Sequence, residues 1–377
     1  MEIYVLNKSL ERIGVVDDYA SIIWAKRYFS AGDFELYLPA SAEMLELLRE
    51  DYYLQRDDDD RAMIIEDIQI QTDAELGNFL IVSGRSLESI LSRRIVWQQT
   101  TLTGTAENAI RRIITENCIN PAQEERVINR LRLAAANGFT ETLEQQLTGE
   151  NVAEWLETVC KSYGYGWKIV IEGGEFVFYL YRGTDHTYDN AENNPFVVFS
   201  PDFDNLVNSN FQYSKRNYKN AALIHGEGEG AARTSSTVGI AVDLDRYELY
   251  VDARDISSND GEISAEEYTN LLTERGVQSL TEYTQTTSYD GEVDTNGVYV
   301  YGVDFNIGDL VQIENEYGFT ATSRIIEIIE NEDSNGYKVV PTFSEWSNEN
   351  AAGIYALKDA DGYILTDSTG AIIYVGG

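Results

Sequence analysis

Basic residues, histidine, cysteine and long apolar runs are all scarce in this chain. Only 28 Lys and Arg stand against 64 Asp and Glu, a formal net charge of −36. That balance excludes the phosphate-neutralising mode of nucleic-acid binding, which needs clustered cations. It is compatible with simple solubility through net charge, and equally with a wall past which a polyanion slides, because repulsion screened within about 8 Å stays local to that wall. There are two histidines, His186 and His225, and two cysteines, Cys118 and Cys160, with no C-x-x-C or H-E-x-x-H spacing. No structural metal and no cofactor are expected from such a set. The cysteines fall in segments with helical spacing and read as buried, reduced thiols. No apolar run approaches the ~18 residues of a membrane-spanning helix. The opening MEIYVLNKSL has an acidic second residue and no basic region before its apolar part, so it reads as a strand and not as an export signal.

What is present is apolar and aromatic: 43 % hydrophobic residues, with 25 tyrosines, over 377 positions. That length exceeds what a single core supports, so two to four domains are expected. Residues 20–39, ASIIWAKRYFSAGDFELYLP, form the most informative stretch. Alternation places Trp24 and Tyr28 on one side of a strand and Ile23 and Phe29 on the other. Phe34, Leu36 and Leu38 share a side of the return strand. Ser30, Ala31, Gly32 and Asp33 supply the turn, with Gly32 free to take positive φ, and Pro39 ends the hairpin. A hairpin with bulky groups on both faces needs a second cover beyond its own core, and in many assemblies another subunit provides it.

Other short strands are legible at 3–6, 12–16, 53–55, 63–72 and 79–83, with helical spacing at 44–48 and 87–91. From about residue 101 the pattern turns helical. Thr105 opens one amphipathic helix, and Asn151 with Glu154 gives a capping-box pattern before another. Strands 167–171 and 175–181 then meet across Gly173-Gly174 as a hairpin. Strands return at 195–199, 206–213, 220–226, 247–251, 298–303, 310–314, 322–330 and 337–341, around a helix that Ser264 and Glu267 begin. A Gly- and Ser-rich stretch at 226–239 reads as a hairpin loop or mobile tip. In the last thirty residues Asp359-Ala-Asp-Gly362 and Asp367-Ser-Thr-Gly370 repeat as turns between short strands that need support from a neighbour.

None of the motifs with a chemical look survives inspection as a catalytic site. Gly84-Arg-Ser86-Leu-Glu88 resembles a nucleophile elbow, but its fifth position is not glycine, and Ser86 is better explained as a helix cap. Ser258 to Glu267 imitates half of an EF-hand loop, yet its first ligand position is Ile256. Gly226-Glu-Gly-Glu-Gly230 carries acids where a phosphate loop needs none, and reads as a flexible connector. The run Asp57, Asp58, Asp59, Asp60 reads as a solvated turn; repeated about an axis, it would make an acidic lumen or rim.

Three segments, Trp24 through GDFELYLP at 24–39, IVSGRSLESILSRRIVW at 81–97 and DFNIGDLVQI at 304–313, occur in the order and spacing that resemble the baseplate hub proteins of siphophages, the family that includes the N-terminal part of tail-associated lysins. The resemblance covers roughly residues 1–345. It implies a β-rich α+β, phage tail hub-like fold of two small β-barrel domains with α+β insertions. The N-terminal barrel is expected at 1–100, completed by 196–235. An insertion follows at 101–195, then a second barrel at 236–345 with an inserted helix at 264–284, and a hairpin extension at 346–377. The implied function is structural: a homotrimeric ring of the virion tail tip, assembled in the host cytoplasm, that closes the distal tail and opens for DNA ejection. Its implied partners are a distal tail protein hexamer, the tape-measure protein and tail fibre or receptor-binding proteins, with DNA passing unbound. Trp24, Tyr28, Phe34, Tyr37, Phe305 and Leu310 are the expected barrel-core and assembly residues, and no catalytic, cofactor or metal residue is expected. The rival readings are a cell-wall hydrolase, for which no domain-sized segment follows residue 345, and an acidic Ca²⁺- or sugar-binding adhesin, which the absent export signal disfavours.

Overall fold

The computed structural model describes residues 1–73, 77–203, 205–258, 262–284, 286–293, 298–314 and 320–344, with the pairs 355–356 and 374–375. The N-terminal part contains β1 (Ile3–Leu6), β2 (Arg12–Val16), β3 (Ser21–Arg27), β4 (Asp33–Pro39), α1 (Ala42–Leu47), β5 (Tyr53–Arg56), β6 (Ala62–Asp73) and β7 (Gly77–Ser86). Alternation decides which side of this sheet is dry. Ile22, Trp24, Phe34, Leu36, Leu38, Leu80 and Val82 are buried together with Ile3, Val5 and Leu54, while Ile23 on the opposite face is 39 % exposed.

The insertion carries β8 (Thr100–Leu102), α2 (Ala106–Ile114), β9 (Leu131–Leu133), β10 (Gln145–Leu147), α3 (Val152–Tyr163), β11 (Gly166–Glu172) and β12 (Glu175–Tyr181). The capping residues behave as their chemistry dictates: Thr105 accepts from the Asn108 N–H, and Asn151 from Ala153 and Glu154. Gly173 and Gly174 both take positive φ, +61° and +79°, as a two-residue hairpin turn requires. Cys118 and Cys160 are buried and unpaired in this core, and burial pushes the Cys118 thiol up to about 12.

The C-terminal part adds β13 (Val198–Phe199), β14 (Leu206–Ser214), β15 (Ala221–His225), β16 (Ser235–Val238), β17 (Glu248–Asp252), α4 (Ala265–Thr281), β18 (Thr286–Val293), β19 (Leu310–Glu314), β20 (Thr320–Asp333) and β21 (Gly336–Phe343). Strands β16, β15 and β17 form a small sheet that α4 covers, with Ile224, Val238, Tyr268, Leu271 and Leu272 between them. Ser264 caps α4 by accepting from the Glu267 N–H at 3.1 Å.

The decisive topological fact is that the two halves share one sheet. Its order runs β14-β18-β21-β20-β3-β4-β7-β6-β5-β1-β2, and β19 pairs with both β13 and β20. The free edge of β3 is taken by β20, in a register that sets Glu330 opposite Trp24 and Ile328 opposite Lys26. The fold is therefore mixed α+β and strand-rich as expected, and no closed barrel is traced among the described residues.

Strand β13 pairs with β19, and β14 with β18. In the small sheet at 221–252, β17 returns to pair parallel with β15. The stretch at 226–234 is, as expected, a hairpin loop, joining the antiparallel β15 and β16, and it is closed by bonds from Gly226 N to Thr234 O and from Thr234 N to Glu227 O. Several local expectations need correction. The stretch 298–303 is a turn and not a strand: Val300 O accepts from Val303 and Asp304, and Gly302 has φ +82°. Gly32 does not use positive φ; it is glycine because a Cβ there would lie 2.0 Å from Ala25 O. Ser86 stands at the start of a 3₁₀ turn but does not cap it, since its Oγ accepts from the Gly32 N–H at 2.8 Å. Tyr355–Ala356 pairs with Tyr374–Val375; the two Asp/Gly repeats of the tail lie outside the described residues.

Candidate functional site: a buried three-way junction

The outward end of β3 is where all three parts of the chain meet, and Tyr28 is at the centre. The Tyr28 ring is fully buried. Its N–H bonds to Ile326 O in β20 at 2.8 Å, and its carbonyl accepts from Trp167 in β11 at 3.2 Å. The phenol donates to Gly164 O at 3.1 Å and accepts from the Gly183 N–H at 3.3 Å. Tyr181 meets the ring edge-on at 5.3 Å, and the Arg324 guanidinium lies 5.3 Å from its centroid. Two glycines make this possible. A Cβ on Gly166 would sit 2.1 Å from the ring and one on Gly308 2.2 Å, so each approaches only because it lacks a side chain. One aromatic residue of the N-terminal hairpin is thus gripped by the insertion and by the C-terminal half.

Beside it lies a buried ion cluster. Lys26 Nζ is 2.9 Å from Asp59 and 2.6 Å from Glu330. Arg56 reaches Glu330 at 3.0 Å while also holding Asp58 through two bonds of 2.8 and 2.7 Å. Trp24 Nε1 donates to Asp59 at 3.0 Å, and Tyr337 donates to Glu330 at 2.6 Å. Burial alone would pull the Lys26 ammonium down, but Asp59, Tyr301 and Glu330 outweigh it and push it up. Burial likewise pushes the Asp59 carboxyl up, and Lys26 with the Arg61 N–H more than reverses this, leaving it below the usual carboxylate range. Such a cluster adds little net stability over an apolar core, yet breaking it is costly, so its main effect is to fix register. A one-residue slip of β20 would turn Glu330 to the outer face and strand Lys26 without its partner.

A third buried cation, Arg61, ties the same corner to the insertion. It donates to Arg27 O at 2.8 Å and to the Tyr181 hydroxyl at 3.1 Å, with Glu88 at 3.4 Å. Glu88 is wholly buried, and its carboxyl is pushed up by that burial.

The residues singled out from sequence are spread over several parts of the fold. Trp24, Tyr28 and Phe34 are buried in or beside the N-terminal core, and Phe305 is buried against Phe199 in the C-terminal one. Tyr37 is half-buried on the outer face, stacked on Phe79 at 4.7 Å, and Leu310 is half-buried where β19 begins. The four aspartates divide: Asp57 pairs with Arg12, Asp58 with Arg56, Asp59 with Lys26 and Asp60 with Lys168 of the insertion. Asp59 does not face solvent; its side chain is 3 % exposed. Lys26, Arg56, Arg61, Glu88 and Glu330 were missed by sequence reasoning. For Lys26 a signal existed, because alternation puts it on the same face as Trp24 and Tyr28, where a charge must find a buried partner.

Nothing at the junction resembles a reaction centre. Among the described residues no group of three or more His, Cys, Asp or Glu could hold a metal. Ser86 Oγ is committed to Gly32, while His186 contacts Pro195 O and Asp309, and His225 contacts the Tyr250 ring. The arrangement can hold three units in fixed relation and transmit force between them.

Residues 2–343 match the model of a family described as Siphovirus ReqiPepy6 Gp37-like protein. Among solved structures, the chain is similar to the 43 kDa tail protein of prophage MuSo2 from Shewanella oneidensis. That match has 15 % identity and TM-score 0.57, over 92 % of this chain and 98 % of that one. It is also similar to the tail protein from Neisseria meningitidis MC58, at 13 % identity and TM-score 0.55, over 91 % and 96 % of the two chains. The prophage tail protein gp18 from Listeria monocytogenes EGD-e aligns at 12 % identity and TM-score 0.51, over 92 % and 96 %. At these identities the likeness is one of fold. A search of curated proteins finds no match.

Proposed function

The chain belongs to the Siphovirus ReqiPepy6 Gp37-like family of phage tail proteins, and from that premise we propose that it is the structural hub of a tail tip. Three copies form a ring that closes the distal end of the tail, seats on a hexameric distal tail protein, carries tip or fibre proteins, and opens to pass the tape-measure protein and DNA. The observation that carries this reading is the single sheet joining the two β-rich halves through β3 and β20, locked at Tyr28. A ring that bears the load of ejection needs each subunit to present its halves in fixed relation. With two β-rich halves per subunit, three copies offer six broadly similar units to a six-fold neighbour. The net charge of −36 suits a passage whose wall repels DNA, with the exposed Asp57, Asp58 and Asp60 as contributors to that rim.

The role is mechanical and not enzymatic. Light scattering on the purified chain is expected to give a mass near three times 42.5 kDa, and electron microscopy a three-fold ring. A folded monomer at micromolar concentration overturns the proposal, and clearing of peptidoglycan in a zymogram would revive the hydrolase alternative.

A further inference from the structure

On a chain this acidic, one surface is rich in arginine. After the 3₁₀ turn that ends at Arg93 the chain runs extended from Arg94 to Trp97, with Arg93, Ile95 and Trp97 exposed while Val96 is buried. Ile95 is 40 % exposed and Trp97 55 %. Arg126 lies over the Trp97 ring at 4.8 Å and donates to Ile95 O at 2.7 Å. Arg94 donates to the carbonyls of Arg126 and Arg93 at 2.6 and 2.9 Å. Arg93 and Arg130 are exposed and form no ion pair among the described residues. Arg94 and Arg126 gather beside Trp97, with Glu124 and Glu125 in the same turn as Arg126, while Arg93 and Arg130 both lie close to Tyr53, where the Asp51 carboxyl, already held by Lys8, is also near Arg93. Exposed tryptophan and arginine held in place by main-chain bonds are the side chains that dominate protein interfaces.

A surface of opposite character lies on the outer face of the main sheet. An open groove of about 500 Å³ is lined by Ile23, Asp33, Glu35, Glu66, Asp67 and Arg85. Asp33 and Glu66 are satisfied by Arg27 and Arg85. Glu35 and Asp67 form no ion pair among the described residues; they flank Ser83 from neighbouring strands, with the exposed Ile23 next in the row. The groove offers two carboxylates without an ion pair among the described residues, the exposed Ile23 side chain, and room for an indole, whose burial removes ~150–250 Å² from water.

We infer that these two faces meet between neighbouring copies of the chain, with Arg93, Trp97 and Arg130 of one subunit seated in the Ile23–Glu35–Asp67 groove of the next. The inference rests on the ring proposed above. Two different surfaces that recognise each other make a head-to-tail contact, which closes into a ring when the rotation per step permits. Local pairing of opposite charges also answers a difficulty of that ring, because copies each carrying −36 repel one another wherever no such contact screens them.

The test is sedimentation and light scattering of the full chain at several salt concentrations. Wild type is expected as a trimer that weakens as salt rises. Arg93→Glu with Arg130→Glu, and separately Trp97→Ala, should each raise the dissociation constant at least tenfold. Adding Glu35→Arg and Asp67→Arg to the charge-reversed chain should restore the trimer. Circular dichroism confirms folding, and Trp97→Ala carries the same readout if charge reversal lowers the melting temperature. Trimers unaffected by the variants overturn this contact while leaving the ring standing; loss without rescue overturns the groove as counter-surface; a monomeric wild type overturns ring and contact together.

Discussion

The Tyr28 ring fills the space that a side chain on Gly166 would occupy, its Cε2 lying 2.1 Å from where that Cβ would be. Two residues far apart in sequence thereby constrain each other completely. Gly166→Ala forces either the hairpin or β11 to move, and should cost about 1–3 kcal/mol as an overpacking lesion. Tyr28→Ala should cost about 3–5 kcal/mol by leaving a cavity and orphaning the Gly183 N–H. The double variant should be more stable than the sum of the two losses predicts, since the alanine methyl enters the vacated space. Urea denaturation of all four proteins measures the coupling, and strict additivity would contradict the geometry.

Removing one member of the ion cluster should be worse than its small net contribution suggests. Glu330→Ala leaves Lys26 and Arg56 facing each other in a dry interior, with Asp59 as the remaining buried anion. A loss of about 3–5 kcal/mol is expected in chemical denaturation. Glu330→Ala combined with Lys26→Met should recover part of it, because an apolar chain of similar volume needs no partner.

Acid should weaken the fold over a defined window. The carboxyls of Asp59 and Glu141 both lie below their ordinary values when folded. Burial pushes Glu141 up, but bonds from Arg182 and Tyr165 outweigh it and bring it to about 2. Groups depressed in this way stabilise fully above their unfolded values, near pH 4–4.5, and lose that contribution as pH falls through the folded ones. Through these two groups thermal melts should fall from about pH 4.5 toward 2, while Glu88, whose carboxyl burial pushes up, gains stability as it protonates and works against that loss at higher pH. Glu141→Gln should flatten part of that fall.

The two faces of the hairpin should respond oppositely to charge. Phe34 is buried opposite Trp24, with ring centroids 6.2 Å apart, so Phe34→Asp is a folding lesion and should abolish the cooperative melt. Ile23→Asp, on the exposed face, should leave the melting temperature within a few degrees while weakening association. Calorimetry and sedimentation on the two variants separate folding from assembly.

The N-cap of α3 offers a smaller check. Asn151 Oδ1 accepts from Ala153 N–H at 3.0 Å, and its Nδ2 donates to Ser92 O at 2.7 Å. Asn151→Ala should cost about 1–2 kcal/mol, and Asn151→Asp, which keeps the cap but loses the bond to Ser92, should fall between.

The local elements were legible in the chain, because each depends on residues only a few positions apart. Alternating side chains marked the strands at 3–6 and 310–314 to the residue, Gly173-Gly174 marked the hairpin turn, and Asn151 and Ser264 marked helix starts. Only the tertiary structure decided what those elements pair with. That β3 takes β20 as its neighbour, that Asp59 is a buried counter-ion while Asp57 next but one to it is exposed, and that Gly166 and Gly308 are reserved for one tyrosine ring are long-range facts. A strand pattern states which face of a strand is dry, and it carries no information about which distant strand will satisfy its free edge or which distant charge will neutralise a buried one.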